Sequence, residues 1–352
     1  MMRIFVHEFV SGGGFAGRAV PASLAREGLA MRTALLEDLA ALRRHEIVTT
    51  TDIRFAKLAP AHVEVVTLAL GDTATFDQLL TSADAVWLVA PETDRCLERL
   101  AARVERKGKI LLGSGAAVVR RASDKAGLPR RLARIGVPHP ETVILEPGVD
   151  ARTVAGELGY PVVLKPRRGA GSRGVQLAHN ARELQSALAV LRRVQGASTG
   201  PSGDKGDRGF VVQRYVRGIP ASVSLLADGH GGAVALAVNA QRMNTTAGFS
   251  YRGGRTPFDH PLAAAAVDAA TRTCVALPGL RGYFGVDLVL TDTGPVVIEV
   301  NARLTTAYLG VRAVLDENVA AMALAACDGT LPEQPIARRR VRFTASGLVA
   351  AA

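Results

Sequence analysis

Three oxygen-bearing side chains in the last third of the chain have the spacing of a magnesium site. Asp287 lies in the apolar segment Phe284–Leu290, and Glu299 and Asn301 follow it two residues apart. On a β-strand, residues i and i+2 point to the same face. Mg²⁺ prefers one or two carboxylates together with substrate phosphates. The pattern therefore predicts a magnesium site, and the alternative is a pair of edge-strand acids that face solvent.

Two lysines stand where phosphate groups could bind. Lys165 lies inside the apolar strand predicted over Tyr160–Pro166, and burying an unpaired ammonium group there would be costly. A phosphate partner would remove that cost, whereas the alternative is a lysine whose ammonium reaches solvent at the strand end. Lys125 opens a helix predicted over Ser123–Ile135, where the positive helix end also favours phosphate. The alternative interpretation is that Lys125 is an ordinary solvated lysine.

A glycine loop between two predicted strands matches GxGxxG. The dinucleotide fingerprint needs a helix after this motif, but Val175–Ala178 predicts a strand. The segment is therefore a strand–loop–strand flap whose backbone N–H groups could cover a triphosphate, or else a plain hairpin. The flap residues proposed to bind nucleotide are Gly169, Ala170, Gly171, Ser172 and Gly174.

Two other glycine-rich stretches carry less information. The stretch Gly12–Ala19 nearly matches a P-loop, but Arg18 replaces the lysine and Ala19 replaces the hydroxyl residue that binds Mg²⁺. A glycine turn that shapes a substrate pocket is one interpretation, and a structural turn is the other. The segment Gly196–Gly209 has the composition of a flexible insert.

Composition excludes several classes of protein. The 352 residues are enough for two or three domains, and 48% of them are hydrophobic. The three cysteines are far apart, which argues against a disulfide framework or zinc cluster and favours a reducing, cytoplasmic location. No apolar run reaches the ~20 residues that span a bilayer. The net charge of +11 favours anionic ligands, but nucleic-acid binding is disfavoured because only 5% of the residues are aromatic and no basic stripe is interleaved with them.

The first third of the chain alternates strands and helices, which predicts a parallel sheet covered on both faces. Ligands of such sheets bind at the carboxyl ends of the strands. The tail carries Arg338–Arg340 and Arg342, and we expect it to be a solvated basic end. The predicted helices include Ser23–Arg44, Ser123–Ile135, Leu262–Leu277 and Val311–Cys327.

In this order and approximate spacing, these residues resemble the ATP-grasp superfamily. The resemblance implies an α/β and α+β fold with a Rossmann-like parallel sheet at residues 1–113. Two ATP-grasp subdomains would follow at 114–216 and 217–330, and a basic tail at 331–352. A family member holds ATP between those two subdomains.

The resemblance also implies roles for individual residues. Lys125 and Lys165 would hold the α- and β-phosphates, and Arg303 would stabilise the transferred phosphoryl group. One or two Mg²⁺ ions, with Mn²⁺ as an alternative, would bind Asp287, Glu299 and Asn301. Adenine would contact Gln213, Tyr215 and Val216. Family members often carry an acid just after this adenine-binding hinge, and that acid holds the ribose hydroxyls. Here Gly218–Ser222 supplies no acid, and Ser222 is the candidate substitute.

A finer resemblance is to the tyramine–glutamate ligases of methanofuran biosynthesis and related carboxylate–amine ligases. It rests on His7–Gly14, on the hinge region, and on Asn239-x-Gln241 with Tyr251-x-Gly253-Gly254. It implies a small carboxylate and an amine as substrates, and it leaves open a homodimer. The candidate substrate-binding residues are Glu8, Ser11, Gly12, Gly13, Arg242 and Tyr251, together with Arg255.

The function that follows is ATP-dependent amide formation through an acyl phosphate. Two alternatives stay open. One is a phosphoryl transferase that stops at the phosphorylated product, and the other is a non-catalytic ATP-binding regulatory protein.

Overall fold

The first of three units is a parallel sheet. The computed structural model describes residues 1–352 except 16, 56–58, 70, 147, 170–173, 197–208 and 245–248, and it describes no side chains for 194–196. The elements of this unit are β1 (Arg3–Glu8), α1 (Ala22–Ala41), β2 (Glu46–Asp52), β3 (Val63–Leu68), α2 (Thr73–Ser82), β4 (Ala85–Val89), α3 (Cys96–Arg106) and β5 (Ile110–Leu111). The strand order is β3-β2-β1-β4-β5 and all four pairings are parallel, as predicted. The carboxyl ends of β1 and β4 therefore lie side by side.

The second unit is a small antiparallel sheet with a hydrophobic core of its own. Two short helices, α4 (Ala116–Ala122) and α5 (Gly127–Arg134), precede it. Its elements are β6 (Thr142–Leu145), α6 (Ala151–Leu158), β7 (Val162–Pro166), β8 (Gln176–Ala178), α7 (Ala181–Gly196) and β9 (Phe210–Arg214). The strand order is β6-β9-β7-β8, and α6 and α7 supply apolar side chains to the core. We call this unit the small lobe.

The third unit is a seven-stranded antiparallel sheet, which we call the large lobe. Its strand order is β14-β13-β10-β11-β12-β15-β16. The elements are β10 (Ile219–Asp228), β11 (Ala233–Asn244), β12 (Ser250–Thr256), α8 (Ala263–Ala276), β13 (Arg281–Thr291), β14 (Gly294–Asn301), α9 (Tyr308–Val314), α10 (Val319–Cys327), β15 (Val341–Thr344) and β16 (Val349–Ala351).

The parallel sheet and the large lobe share a continuous core, whereas the small lobe does not join it. Apolar residues of β1 and α1 pack in one cluster with residues of α9 and α10. The carboxylate of Asp38 on α1 also accepts hydrogen bonds from Tyr308 and Arg312. The parallel sheet and the large lobe thus form one packed body, to which the small lobe is attached. No helix within the described residues is both long and apolar enough to cross a membrane.

Two predicted helices differ from the structure: one is shorter than predicted, and the other is two helices. The helix expected over Ser123–Ile135 begins only at Gly127, and Lys125 lies in the turn between α4 and α5. The carboxylate of Asp124 stabilises this turn because it accepts from the Ala126 N–H and from the Arg167 guanidinium. The helix expected over Val311–Cys327 is interrupted after Val314, where Leu315 is extended and Asn318 caps α10.

The tail is not wholly solvated. Val341 and Phe343 are buried, and β15 pairs with β12. The i, i+2 spacing of these two apolar residues is typical of a half-buried strand. The neighbouring arginines make the segment look like a solvated basic end in the sequence. Gly254 on β12 makes room for the ring, because a Cβ there would lie 2.9 Å from Phe343. The glycines of the finer motif therefore have a packing role.

Candidate active site

A cleft of about 1070 Å³ lies between the small lobe and the large lobe. It receives side chains from β7 and β9 on one side and from β13 and β14 on the other. Eight residues proposed from the sequence line it: Lys125, Lys165, Gly169, Gln213, Tyr215, Val216, Asp287 and Glu299. Residues separated by up to 174 positions in the chain thus meet in one space.

Two carboxylates face each other at the large-lobe wall of the cleft. Asp287 on β13 pairs in register with Glu299 on β14. The Asn301 side-chain amide donates to Asp287 Oδ2 at 3.0 Å, and the Gln241 amide donates to Asp287 Oδ1 at 2.7 Å. Burial, and then the charge of Glu299, raise the pKa of Asp287 to about 7. Burial acts against ionisation of Glu299 as well, but Lys125 and Lys165 outweigh it and lower the pKa of Glu299.

Two ammonium groups approach these acids from the small-lobe side. Lys165 is only 6% exposed, and burial lowers its pKa to about 8, although Glu299 opposes that shift. Lys125 Nζ donates to the Gly169 carbonyl at 2.7 Å and lies 3.5 Å from Glu299 Oε2. Because Lys125 and Lys165 line the same cleft, and Lys165 is buried there, the two ammonium groups favour an anion such as a phosphate chain.

The acidic wall fits a divalent cation that shares its coordination with another ligand. Asp287 and Glu299 lie opposite each other, so their charges repel: burial first, and then the charge of Glu299, raises the pKa of Asp287. A cation between them would relieve that repulsion, and the Asn301 amide oxygen adds a neutral ligand. In the described part of the chain, no group of three or more His, Cys, Asp or Glu residues could hold a metal. Further ligands must therefore be amide, water or phosphate oxygens.

The hinge between the lobes, Gln213–Val216, lines the opposite end of the cleft. Gln213 is buried at the end of β9, where its amide donates to Thr142 Oγ1 at 2.8 Å. The Tyr215 N–H donates to the Pro161 carbonyl at 3.1 Å, so the chain leaves the small lobe in a set direction. Ser222, the candidate ribose residue, is buried within 3.3 Å of the Asn239 amide.

The predicted strand–loop–strand arrangement is present. Strands β7 and β8 are antiparallel neighbours, and Gly169 lies between them and lines the cleft. Gly174, before β8, has a φ of +77°, which a glycine adopts without strain. The other predicted flap residues, Ala170, Gly171 and Ser172, lie outside the described residues.

Arg303 is paired with an acid that the sequence did not indicate. Its guanidinium donates to both carboxylate oxygens of Glu92, at 2.9 and 3.0 Å. Burial lowers the pKa of Arg303, but Glu92 outweighs this and raises it above its usual value. Glu92 follows the carboxyl end of β4, the position where parallel sheets present ligand-binding groups, and that location is the signal that could have found it.

Arg303 also lines a second cavity of about 940 Å³ at the carboxyl ends of β1 and β4. Glu8, predicted as a substrate residue, lines this cavity and accepts from the Val10 N–H at 2.9 Å and the Ser11 N–H at 2.6 Å. Glu27 and Phe15 line it too, and sequence reasoning missed both. Helical spacing along α1 alone gives no sign that Glu27 faces a cavity.

Several other predicted substrate residues have structural surroundings. Ser11 is fully buried, and a Cβ on Gly12 would lie 2.3 Å from the Glu8 carbonyl, so the turn requires glycine there. Among the described residues, neither these two nor Gly13 lines either cavity. In the described part of the chain, Ser11, Gly12 and Gly13 therefore shape the turn but do not line these two cavities.

Of the predicted substrate residues on β11 and β12, two are exposed and one points inward. Arg242 is exposed and, within the described residues, lines neither of the two cavities. Its neighbour Gln241 lines the cleft, and successive side chains of a strand point to opposite faces, so Arg242 points away from the cleft. Arg255 is exposed and stacks over the Phe258 ring at 5.4 Å. Tyr251 points inward: burial, followed by the charges of Asp287 and Glu27, raises its pKa well above the usual value.

Comparison with known proteins gives the family. The model described as an ATP-grasp domain matches residues 122–307, and the model described as a pre ATP-grasp 3 domain matches residues 45–119. An ATP-grasp superfamily protein from Archaeoglobus fulgidus has 26% identity and a TM-score of 0.67, with 97% of this chain and 92% of that chain covered.

Two further relatives are similar over smaller parts or in fold alone. The D-alanine–D-alanine ligase of Ralstonia pickettii is 25% identical over 56% of this chain and 59% of its own length. The biotin carboxylase domain dimer of Hydrogenobacter thermophilus 2-oxoglutarate carboxylase, solved with MgADP and bicarbonate, has a TM-score of 0.73 at 16% identity. That similarity covers 97% of this chain and 74% of that one.

The chain spans less than two thirds of the length of each of four similar curated proteins, from 10% to 59%. The ATP-grasp match nevertheless covers more than half of this chain and includes the small lobe and the part of the large lobe that lines the cleft. The chain belongs to the ATP-grasp family.

Proposed function

We propose that the protein is an ATP-dependent carboxylate–amine ligase that forms an amide through an acyl phosphate. The observation that carries the proposal is the convergence in one cleft of Lys125 and Lys165 with Asp287 and Glu299. Family membership supports it, because similar proteins include ligases. The retained acid pair favours catalysis over a purely regulatory ATP site, which has less need of metal ligands.

In this proposal the cleft binds MgATP with the adenine at the hinge. The hydrophobic wall at Val163, Val216 and Leu288 accepts the base, and backbone groups of the hinge select it. Lys165 and Lys125 bind the phosphate chain, with Gly169 beside it. The side chains of Asp287, Glu299 and Asn301 would hold Mg²⁺ or Mn²⁺, in one or two ions. When bound, the metal neutralises charge that develops on the phosphate oxygens.

The proposed reaction consists of two steps, a phosphoryl transfer followed by an acyl transfer. A substrate carboxylate oxygen attacks the γ-phosphorus, the bond to the β,γ-bridging oxygen breaks, and ADP leaves. The neutral amine nitrogen then attacks the acyl carbon, the carbon–oxygen bond to phosphate breaks, and inorganic phosphate leaves as the nitrogen loses a proton. The protein contributes position and charge, because phosphoryl transfer needs little covalent help.

The finer proposal concerns the substrates. The short motifs around His7–Gly14 and Tyr251 support glutamate joined to an aromatic amine or amino acid, as in methanofuran-type cofactor biosynthesis. The packing role of Gly254 against Phe343 removes one part of that support. A homodimer and a cytoplasmic location remain expectations of the same proposal.

A screen of amino acids paired with amines, read out as ADP release and product mass, tests the ligase function. ADP release that needs both partners, with an amide product, is expected. A phosphorylated product that forms without an amine would instead favour a phosphoryl transferase. ATP binding without hydrolysis across the panel would favour a regulatory protein.

Site variants connect that activity to the cleft. Lys165→Ala and Asp287→Ala should each lower turnover by ~10²–10³-fold, because each removes one preorganised electrostatic contact. Lys107→Ala, on the surface of the parallel-sheet unit, and Asp292→Ala, in the exposed β13–β14 turn, are the matched controls. Near-normal turnover in both site variants would contradict the assignment.

A further inference from the structure

The second cavity has the apolar walls of a small-molecule site. It lies at the carboxyl ends of β1 and β4 and is bounded on one side by α1. Phe9 and Phe15 form one wall with ring centroids 5.8 Å apart, and Leu24 and Met31 of α1 extend it. Such walls favour an organic ligand with an apolar or aromatic body.

Charge in the cavity favours a cation over an anion. Its lining includes three acids, Glu8, Glu27 and Asp94, and two cations, Arg18 and Arg303, although burial raises the pKa of Glu8 and so favours its neutral form. The Arg303 guanidinium is already bound by both oxygens of Glu92. A carboxylate ligand would thus meet an excess of acids, whereas an ammonium group would be attracted.

Glu27 is the acid best placed to receive an ammonium group. The Glu8 carboxylate accepts two backbone N–H groups and is 1% exposed, so it serves the turn. Glu27 is half-buried and accepts a hydrogen bond from Thr306 Oγ1. Because an ionised carboxylate has about four acceptor positions, this contact orients Glu27 and leaves room for a ligand N–H.

Glu27 lies beside the segment that follows β14, because it accepts its hydrogen bond from Thr306, three residues after Arg303. Strand β14 carries Glu299 of the nucleotide cleft, and Arg303 lines the second cavity. A ligand nitrogen bound at Glu27 would therefore be on the side of the large lobe. The apolar body of the ligand would extend towards Phe9 and Phe15.

We propose that the second cavity binds an organic ammonium ion with an apolar or aromatic body, and that Glu27 receives its ammonium group. Naming this ligand as the amine substrate rests on the proposed ligase function. The binding site itself does not rest on it, because the cavity, its walls and its charge are independent of the nucleotide cleft.

Calorimetric titration of the full chain with phenethylamine, phenylacetate and 2-phenylethanol, without ATP and at pH 7, tests the site. We expect phenethylammonium to bind one to one and at least ~10-fold more tightly than the acid or the alcohol, because it alone gains a charge-assisted hydrogen bond. No binding of phenethylamine at millimolar concentration, or equal or tighter binding of phenylacetate, would overturn the proposal.

Two variants of α1 locate the binding. Glu27→Gln should weaken phenethylamine binding by ~10- to 100-fold, the loss expected for one hydrogen bond to a charged group. Glu37→Gln, an exposed carboxylate on the same helix, should leave the affinity unchanged. An unchanged thermal midpoint of Glu27→Gln shows that the variant is folded, and wild-type affinity in that folded variant would overturn the proposal.

A competition experiment, together with the ADP-release screen, distinguishes this site from the nucleotide cleft and from the ligase function. Phenethylamine should still bind when a non-hydrolysable ATP analogue saturates the cleft, and its displacement by the analogue would refute the second site. If no acid–amine pair releases ADP while the Glu27 effect on binding persists, the ligase function fails and the ammonium site stands. If ADP release needs an amine but Glu27→Gln affects neither binding nor the KM for amine, the ammonium site fails alone.

Discussion

Breaking the Glu92–Arg303 pair should destabilise the fold far more than breaking a surface ion pair. The two side chains are 6% and 14% exposed, and they share two hydrogen bonds of 2.9 and 3.0 Å. They join residues 211 positions apart, from the end of β4 and the end of β14. Removing one partner of a buried pair leaves an uncompensated charge, which costs ~3–5 kcal/mol.

A double-mutant cycle measures this coupling. Glu92→Gln, Arg303→Met and the double variant would be unfolded in urea, and the free energies of unfolding compared. We expect a coupling free energy of about 3 kcal/mol, because the second substitution removes the charge that the first leaves unpaired. The exposed pair Arg339–Asp316 is the control and should give at most about 1 kcal/mol. Coupling of Glu92 and Arg303 below about 1 kcal/mol would refute the reasoning.

Three further predictions follow from single side chains. Phe343→Ala should lower the free energy of unfolding by ~3–5 kcal/mol in a urea titration, since it empties a buried ring site, and a loss below about 1 kcal/mol would mean that the tail is not packed. In EDTA, the free energy of unfolding of the wild type relative to Asp287→Asn should fall as pH rises from about 4 to about 7. The raised pKa of Asp287 means that folding stabilises its protonated form. A difference in the free energy of unfolding that does not change with pH would contradict the burial of that carboxyl. Gln241→Leu should raise the Mg²⁺ concentration needed for half-maximal ADP release by ~10-fold or more, because a positioning hydrogen bond to Asp287 is lost, and an unchanged requirement would contradict that role.

The sequence was most informative where polar residues interrupt apolar strands. Lys165 and Asp287 each stand inside an apolar run, and the structure places both in one cleft, with Lys165 buried and Asp287 half-buried. Burial of a charge is costly without a partner, so such residues are strong indicators of a site. The alternation of strands and helices likewise predicted the parallel sheet, because that order leaves few arrangements.

Sequence reasoning failed where long-range packing decides the outcome. Glu92 and Glu27 are ordinary acids in sequence, and only the meeting of the parallel sheet with the large lobe gives them partners such as Arg303 and Thr306. The tail shows the same limit: Phe343 is buried because β12 offers glycines across from it, which its own neighbours in sequence do not reveal.

The most direct test of the nucleotide site is a crystal structure of the full chain with Mg²⁺ and a non-hydrolysable ATP analogue. We predict phosphate oxygens bound by Lys125 and Lys165, and metal density in contact with Asp287 and Glu299. A nucleotide bound outside this cleft, or phosphates that contact neither lysine, would contradict the central claim.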